Sequence, residues 1–367
     1  MKLNRVIISG GGTGGHIFPA LAIAHEIKRR NPDADILFIG ANGKMEMEKV
    51  PQAGFSIVGL PIAGFQRRIT LQNLWLPFKL IQSLLKAFTV IRRFKPEVVI
   101  GVGGYASGPT LQMAQLLGIP TILQEQNSYP GKTNQILARK AKAICVAYPS
   151  MNVFFEANKI QLTGNPVRAE ILQDLEASKQ EAAIFFELDA TKPTLLIMGG
   201  SLGARTLNYA MRSAISDLSN SGVQVLWQCG KSYQQELLGF QDSLPSPIRV
   251  FPFIQRMDLA YSLATVIISR AGALSVSELA LVAKPAILVP SPNVAEDHQT
   301  KNALALVNHG AALLVKDENA DSELIPLALK LLQDITKQKE LAMSLKAMAL
   351  PNATRDIVDV CQKVAMI

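Results

Sequence analysis

The stretch Arg5-Val6-Ile7-Ile8-Ser9-Gly10-Gly11-Gly12-Thr13-Gly14-Gly15-His16 decides the fold of this chain. Its apolar run reads as a strand buried on both faces, the mark of a parallel sheet covered by helices. The glycines that follow make a tight turn, and the segment from Pro19 to Arg30 reads as a helix. The same device returns at Leu196-Ile197-Met198-Gly199-Gly200-Ser201-Leu202-Gly203-Ala204, with a helix expected from Leu207. Two copies of strand, glycine loop and helix predict an α/β chain of two Rossmann-like domains rather than one large sheet.

Outward from these anchors, strand and helix alternate. Strands are expected at 6–9, 36–39, 98–101, 121–123 and 143–146, with helices at 19–30, 74–94, 110–117 and 132–138. The pattern restarts after Gly164-Asn165-Pro166, with strands at 194–198, 223–228, 248–251, 265–269, 286–289 and 312–315. Helices are expected there at 207–218, 274–281, 300–309 and 323–332, and residues 173–191 read as a solvated helix and turn leading in. The expected boundaries are 1–163 and 164–349. Ligands of such sheets sit at the carboxyl ends of the strands, so a cleft shared by the two domains is the expected site.

A chain of 367 residues, 49% hydrophobic and 18% charged, has the length for two domains and the material for two cores. Its three cysteines, Cys145, Cys229 and Cys361, are far apart and resemble neither a disulfide framework nor a metal site, which makes a reducing cytoplasm the default. Neither a secretory signal nor an apolar run long enough to span a bilayer is expected. The formal net charge of +8 calls for an anionic partner: nucleic acid, membrane surface or substrate.

Each glycine loop carries a chemical reading. Gly10, Gly12 and Gly15 have dinucleotide-loop spacing, yet the second strand ends in Gly40-Ala41-Asn42, with no carboxylate for a ribose, and no Lys-Ser or Lys-Thr makes a Walker loop. What remains is an anion site of free N–H groups at a helix N-terminus, with His16 placed to accept a proton. Gly103-Gly104-Tyr105-Ala106-Ser107 should lie beside it, and two adjacent loops suit a diphosphate. Gln124-Glu125-Gln126-Asn127, polar residues at the end of a strand, read as a substrate-contacting cluster.

In the second half, the loop at 199–204 repeats the anion logic with the Ser201 hydroxyl added. At 269–278 a strand end and small residues open a helix suited to a nucleotide phosphate, and Glu278, a turn further on, can take two ribose hydroxyls. Gln299 and Asn302 are sugar-hydroxyl candidates. Asp33-Ala34-Asp35 precedes its strand and so lies at the wrong end of the sheet for metal–nucleotide binding; it reads as a solvated turn. The four histidines lack metal-ligand spacing, so neither metal nor cofactor is expected.

Between residues 49 and 96 there is no Asp or Glu, while Lys49, Arg67, Arg68, Lys79, Lys86, Arg92, Arg93 and Lys95 are basic and Phe65, Trp75, Phe78, Ile81 and Leu85 are among the apolar residues. One face of the expected helix belongs to the core, but residues 64–77 carry more apolar and cationic side chains than a loop needs, which suits docking on an anionic bilayer. No stacking platform or reading motif accompanies the charge, which argues against nucleic acid.

Together these motifs resemble the MurG family, the bacterial transferases that add GlcNAc to lipid I in peptidoglycan synthesis. Gly164-Asn165-Pro166-Val167-Arg168 and His298-Gln299-Thr300-Lys301-Asn302-Ala303 complete the set, which runs in the family's order along nearly the whole chain. The resemblance implies a GT-B fold and an inverting, metal-independent transfer of GlcNAc from UDP-GlcNAc to the C4 hydroxyl of a polyprenyl-diphosphate-linked MurNAc-pentapeptide. It implies work at the cytoplasmic face of the inner membrane, in the synthesis that underlies cell shape and division. By motif, Thr13, Gly14, Gly15, Asn127, Arg168, Ser201, Ile254, Ala273, Leu274, Ser275, Val276, Ser277, Glu278 and Gln299 would contact UDP-GlcNAc, with the Ile254 backbone reading uracil. Gly12, Gly103, Gly104, Tyr105 and Ser107 would face the acceptor diphosphate, with His16 as base. The last helix, within 350–367, would cross back to the first domain. The chain departs from many relatives at Gln124, where a histidine is frequent, and at Ser275, which keeps the hydroxyl of a common threonine. Another GT-B enzyme, such as a diacylglycerol glucosyltransferase or a sugar-nucleotide epimerase, and a non-catalytic sugar-nucleotide or polyprenyl-binding scaffold are the rival readings.

Overall fold

The computed structural model describes residues 2–62, 76–167, 171, 178–236, 244 and 247–366. The chain forms two compact units, Met1–Val167 with Asn352–Ile367, and Arg168–Pro351.

The first unit holds a parallel sheet in the order β3-β2-β1-β4-β5-β6-β7. Its strands are β1 (Arg5–Ser9), β2 (Asp35–Ala41), β3 (Ser56–Leu60), β4 (Val98–Gly101), β5 (Thr121–Glu125), β6 (Ala143–Val146) and β7 (Ile160–Leu162). Val6, Ile7 and Ile8 are fully buried because helices cover both faces of the sheet. Those helices are α1 (Gly14–Arg30), α2 (Glu46–Gln52), α3 (Leu76–Phe94), α4 (Ser107–Leu116) and α5 (Lys132–Ala138). The strand order reverses between β1 and β4, so the loops after these two strands sit at the topological switch point.

The second unit repeats the plan in a sheet of order β10-β9-β8-β11-β12-β13, again parallel. Its strands are β8 (Thr194–Met198), β9 (Gln224–Gln228), β10 (Ile248–Phe251), β11 (Val266–Ser269), β12 (Ala286–Leu288) and β13 (Leu313–Leu314). The helices are α6 (Lys179–Phe186), α7 (Arg205–Ser213), α8 (Ile215–Asn220), α9 (Met257–Leu263), α10 (Ala273–Val282), α11 (His298–Val307), α12 (Ala320–Gln333) and α13 (Ile335–Ala347). The helix expected over 207–218 is two, broken at Ala214. Here the switch point lies between β8 and β11.

The final helix, α14 (Ala353–Val364), belongs to the first unit and packs on α1. Ile357, Val358, Cys361 and Val364 enter the core of that unit. At the rim, Arg30 donates to Asp359, to Gln362 Oε1 at 3.0 Å and to the Arg355 carbonyl at 3.0 Å. It also pairs with Glu26 at 2.8 Å, and with Arg29 beside it the Glu26 carboxyl is held down at about 2. Among the described residues, no helix is long and apolar enough to cross a membrane.

Candidate active site

The loop after β1 is built around one peptide group. Gly10 N–H donates to Ile39 O and Gly11 N–H to Gly103 O, each at 3.3 Å. Gly12 N–H donates to the Glu46 carboxylate at 2.8 Å. The carbonyl of that same peptide, Gly11 O, lies 3.0 Å from His16 Nδ1. Since a carbonyl only accepts, Nδ1 is the donor, and a neutral His16 carries its lone pair on Nε2.

Beyond Gly12 the loop is free to meet an anion. α1 starts with Thr13 in an extended conformation, without a side-chain cap and with no acid in its first turn. Among the described residues, the amides of Thr13, Gly14 and Gly15 have no hydrogen-bond partner. An uncapped helix N-terminus with forward-facing N–H groups attracts an anion through both its dipole and its donors.

The loop after β4 lies against this one, as expected. A Cβ on Gly104 (φ +87°) would stand 2.4 Å from Gly11 O, and one on Gly103 (φ +92°) would stand 2.8 Å from His16 Nε2. Only glycine permits that approach. Tyr105 is 50% exposed beside it.

Several polar residues read as ligand-facing turn inward. Ser107 is fully buried and donates to Ser9 O at 2.7 Å and Gly103 O at 3.0 Å, tying the two loops together, so its hydroxyl does not face the acceptor. The Gly12 amide, expected to face a diphosphate, is already engaged by Glu46. Of the cluster at the end of β5, Gln124, Glu125 and Gln126 are buried. Gln124 donates to Asn165 Oδ1 at 2.9 Å, and Gln126 to Gln124 and to Val102 O at 2.8 Å. The position where a histidine is frequent is therefore an interior amide.

Glu125 accepts from Asn127 N at 3.0 Å, Gly131 N at 3.2 Å and Asn134 Nδ2 at 2.8 Å. Burial pushes its carboxyl up, while those bonds favour the carboxylate. Only Asn127, half-buried and braced by Glu125, stays near the surface.

In the second unit, the loop after β8 leans the other way, toward β9. Gly199 N donates to Gln228 O at 3.2 Å and Lys231 N to Ser201 O at 3.1 Å, while a Cβ on Gly230 would stand 2.0 Å from Gly203 N. Ser201 is exposed, and among the described residues the amides of Gly200, Ser201 and Leu202 have no partner.

Across the switch point, α10 opens at Gly272, which offers no side-chain cap, and has no acid in its first turn. Ala273, Leu274, Ser275 and Ser277 are half-buried there, and Val276 turns its side chain into the core. Glu278 accepts from Tyr261 Oη at 2.8 Å; Tyr261 itself is fully buried. Neither this tyrosine nor Glu46 was singled out from sequence.

The Ile254 amide donates to Gln228 Oε1 at 3.0 Å, and among the described residues its carbonyl has no partner. Gln299 Oε1 accepts from Ser291 N at 2.9 Å, which aims the side chain. Asn302 is fully buried and donates to Ala271 O, so it is a brace rather than a sugar contact. Asp33 and Asp35 are exposed at the amino end of β2, a solvated turn. Arg168 lies outside the described residues.

Comparison with known proteins shows the family. The glycosyltransferase family 28 N-terminal domain matches residues 6–146, and the C-terminal domain of that family matches residues 194–358. A UDP-N-acetylglucosamine--N-acetylmuramyl-(pentapeptide) pyrophosphoryl-undecaprenol N-acetylglucosamine transferase of Flavobacterium psychrophilum is 54% identical, covering 98% of this chain and 97% of its own. A relative of the same name from Cytophaga hutchinsonii is 54% identical over 98% and 96%. The crystal structure of MurG from Acinetobacter baumannii superposes with a TM-score of 0.78 at 31% identity, covering 98% and 99% of the two chains. With two parallel Rossmann-like sheets, a glycine loop at the switch point of each, and this likeness over its whole length, the chain is a GT-B glycosyltransferase and belongs to glycosyltransferase family 28, in the MurG family.

Proposed function

We propose that this enzyme transfers GlcNAc from UDP-GlcNAc to the C4 hydroxyl of the MurNAc-pentapeptide of lipid I, with inversion, forming lipid II. The observation that carries the reading is the pair of unlike switch points. One presents a histidine whose Nδ1 is tied back to its own loop. The other presents a helix start without a side-chain cap and with an oriented carboxylate one turn along.

The second unit binds the donor. The amides at Gly200, Ser201 and the start of α10 receive the diphosphate, Glu278 holds the ribose, and Gln299 meets the GlcNAc hydroxyls. The Ile254 carbonyl reads uracil, with its amide held by Gln228. Asn127 and Arg168 complete the donor contacts. The first unit binds the acceptor: the amides of Thr13, Gly14 and Gly15, together with Gly103, Gly104 and Tyr105, meet its diphosphate.

In the chemical step, the acceptor oxygen attacks the anomeric carbon as its proton passes to His16 Nε2. The new C–O bond forms while the bond to UDP breaks. The departing diphosphate is stabilised by backbone donors and helix dipoles, in place of a metal. Radiolabelled GlcNAc transfer from UDP-GlcNAc to a lipid I analogue, run in EDTA, tests this directly. Transfer is expected to persist; transfer to diacylglycerol but not to lipid I would overturn the acceptor assignment.

The reading includes a peripheral seat on the cytoplasmic face of the inner membrane. On α3, Ser83, Ala87 and Ile91 face the core, while Phe78, Leu80, Ile81 and Leu85 are exposed beside Lys79 and Lys86. That surface supports docking on an anionic bilayer; residues 63–75, which share the same composition, lie outside the described residues. Sedimentation with phosphatidylglycerol vesicles should fall with Phe78→Ser/Ile81→Ser and with added salt. Equal binding to neutral vesicles would remove the electrostatic part.

A further inference from the structure

Glu46 is buried to 1% exposure, and among the described residues no cation pairs with it. Its two oxygens accept from two chain segments: Oε2 from Gly12 N–H at 2.8 Å and Oε1 from Ala41 N–H at 2.9 Å. The fit is tight enough to dictate the neighbouring residues. A Cβ on Gly11 would stand 2.2 Å from Glu46 Cδ, and one on Gly40 would stand 2.5 Å from Cγ. A buried carboxylate beside a loop that must receive a diphosphate is costly in itself, since it adds like charge where the substrate brings its own. A role beyond filling space is therefore to be sought in what it touches.

It touches the Gly11–Gly12 peptide, whose other end touches His16. The N–H of this peptide donates to Glu46, and its C=O accepts from His16 Nδ1–H at 3.0 Å. Hydrogen bonds in such a chain polarise one another: a carboxylate on the N–H raises the basicity of the carbonyl, and the carbonyl then holds the Nδ1 proton more firmly. The geometry points to Glu46 as a positioning residue that acts on His16 through one peptide group, fixing the Nδ1–H tautomer and stabilising the imidazolium formed when Nε2 takes the acceptor proton. The arrangement does the work of a carboxylate bonded directly to histidine, with the peptide interposed. No proton crosses the peptide in this arrangement. Gly103 completes the alignment, leaving the Nε2 edge of the ring uncovered by any side chain at that position.

This inference rests on the reading of His16 as the base, and the tests separate the two. The tautomer is measured first, on the unaltered protein, by ring 15N–1H correlation, with the His16 signals assigned by their loss in His16→Gln. The Nδ1–H form is expected; a dominant Nε2–H form overturns the proposal without any need for a Glu46 variant to fold. Next, Glu46→Gln is expected to lower kcat about 10–100-fold, the scale of a weakened general base, with KM for UDP-GlcNAc changed less than about threefold. In the same variant the Nε2–H form should gain population.

The decisive comparison is the double variant. On a His16→Ala background, Glu46→Gln should cost less than about twofold further, because a residue that acts only through His16 has nothing left to act on. Multiplying effects would make Glu46 a scaffold residue and overturn the proposal. Near-normal turnover in His16→Ala would instead sink the base assignment, while the tautomer measurement would still decide whether Glu46 orients the ring.

Discussion

The two glycine loops look alike in sequence and are used in opposite ways. In the first unit, the loop after β1 leans across its switch point onto the loop after β4, with Gly104 against Gly11 and Gly103 against His16. The amides of Gly10, Gly11 and Gly12 are all spent inside the protein, and a buried acid holds the last of them. In the second unit, the loop after β8 leans away from its switch point onto the loop after β9, and the amides at Gly200, Ser201 and Leu202 have no partner among the described residues. On the proposed reading, the first loop is packed around the base, whereas the second is kept clear for the leaving group. Glycine serves close approach in one and donor exposure in the other, a difference that no spacing rule reports.

The largest expected break in this comparison comes from the packed loop. His16→Ala should lower kcat by about 10²–10⁴-fold, the usual range for loss of a positioned general base, with UDP-GlcNAc KM nearly unchanged. Steady-state kinetics with donor and acceptor varied separately checks it, and a loss confined to donor KM would mean that the two loops do not divide the work.

A stability pair probes the packing itself. Gly104 and Gly200 have similar positive φ, +87° and +81°, so an added methyl strains both by about 1–2 kcal/mol. At Gly104 that methyl also meets backbone at 2.4 Å, while at Gly200 nothing lies within 4 Å. Thermal melting should therefore show Gly104→Ala clearly less stable than Gly200→Ala, and equal losses would contradict the packed-versus-open distinction.

Much of the architecture was legible because buried parallel strands leave continuous apolar runs: β4, β6, β8 and β10 fall where the sequence puts them. The edge strand β7, Ile160-Gln161-Leu162, is partly exposed on every residue and leaves no such run. Unbroken helical periodicity, with Leu207, Ala210, Met211, Ala214 and Leu218 all buried, hid the interruption at Ala214 between α7 and α8. The site was legible in its loops and misread in its braces. Glycine-rich turns leave carbonyls that need donors, so polar residues near them serve the backbone first. Ser107, Gln126 and Asn302 all donate to backbone carbonyls for this reason. Glu46 was invisible for a related one. The second strand ends without an acid for a ribose, and the acid that does follow, at the start of α2, turns back into the glycine loop.

On the open side, Glu278→Ala should raise UDP-GlcNAc KM about 10–100-fold, or roughly 1.4–2.7 kcal/mol, as expected when charged hydrogen bonds to a ribose are lost. kcat at saturating donor should move far less. UDP titrated as an inhibitor gives the same comparison without the sugar, and unchanged UDP affinity would place the carboxylate elsewhere than on the nucleotide.

The smallest effect separates how the two acids are held. Glu46 is fixed by two backbone amides, so only its own replacement can release it. Glu278 is oriented by a side chain, the buried hydroxyl of Tyr261 at 2.8 Å, and a conservative change can loosen it. Tyr261→Phe keeps the ring in the core and removes that hydrogen bond. A net contribution of about 1 kcal/mol corresponds to about a fivefold rise in donor KM. The loss should vanish on a Glu278→Ala background, because the hydroxyl then has no carboxylate to orient. If Tyr261→Phe costs as much without Glu278 as with it, the tyrosine supports the fold of the second unit rather than its ligand. The contrast between a backbone-held acid in one loop and a side-chain-held acid beside the other would then lose its functional meaning.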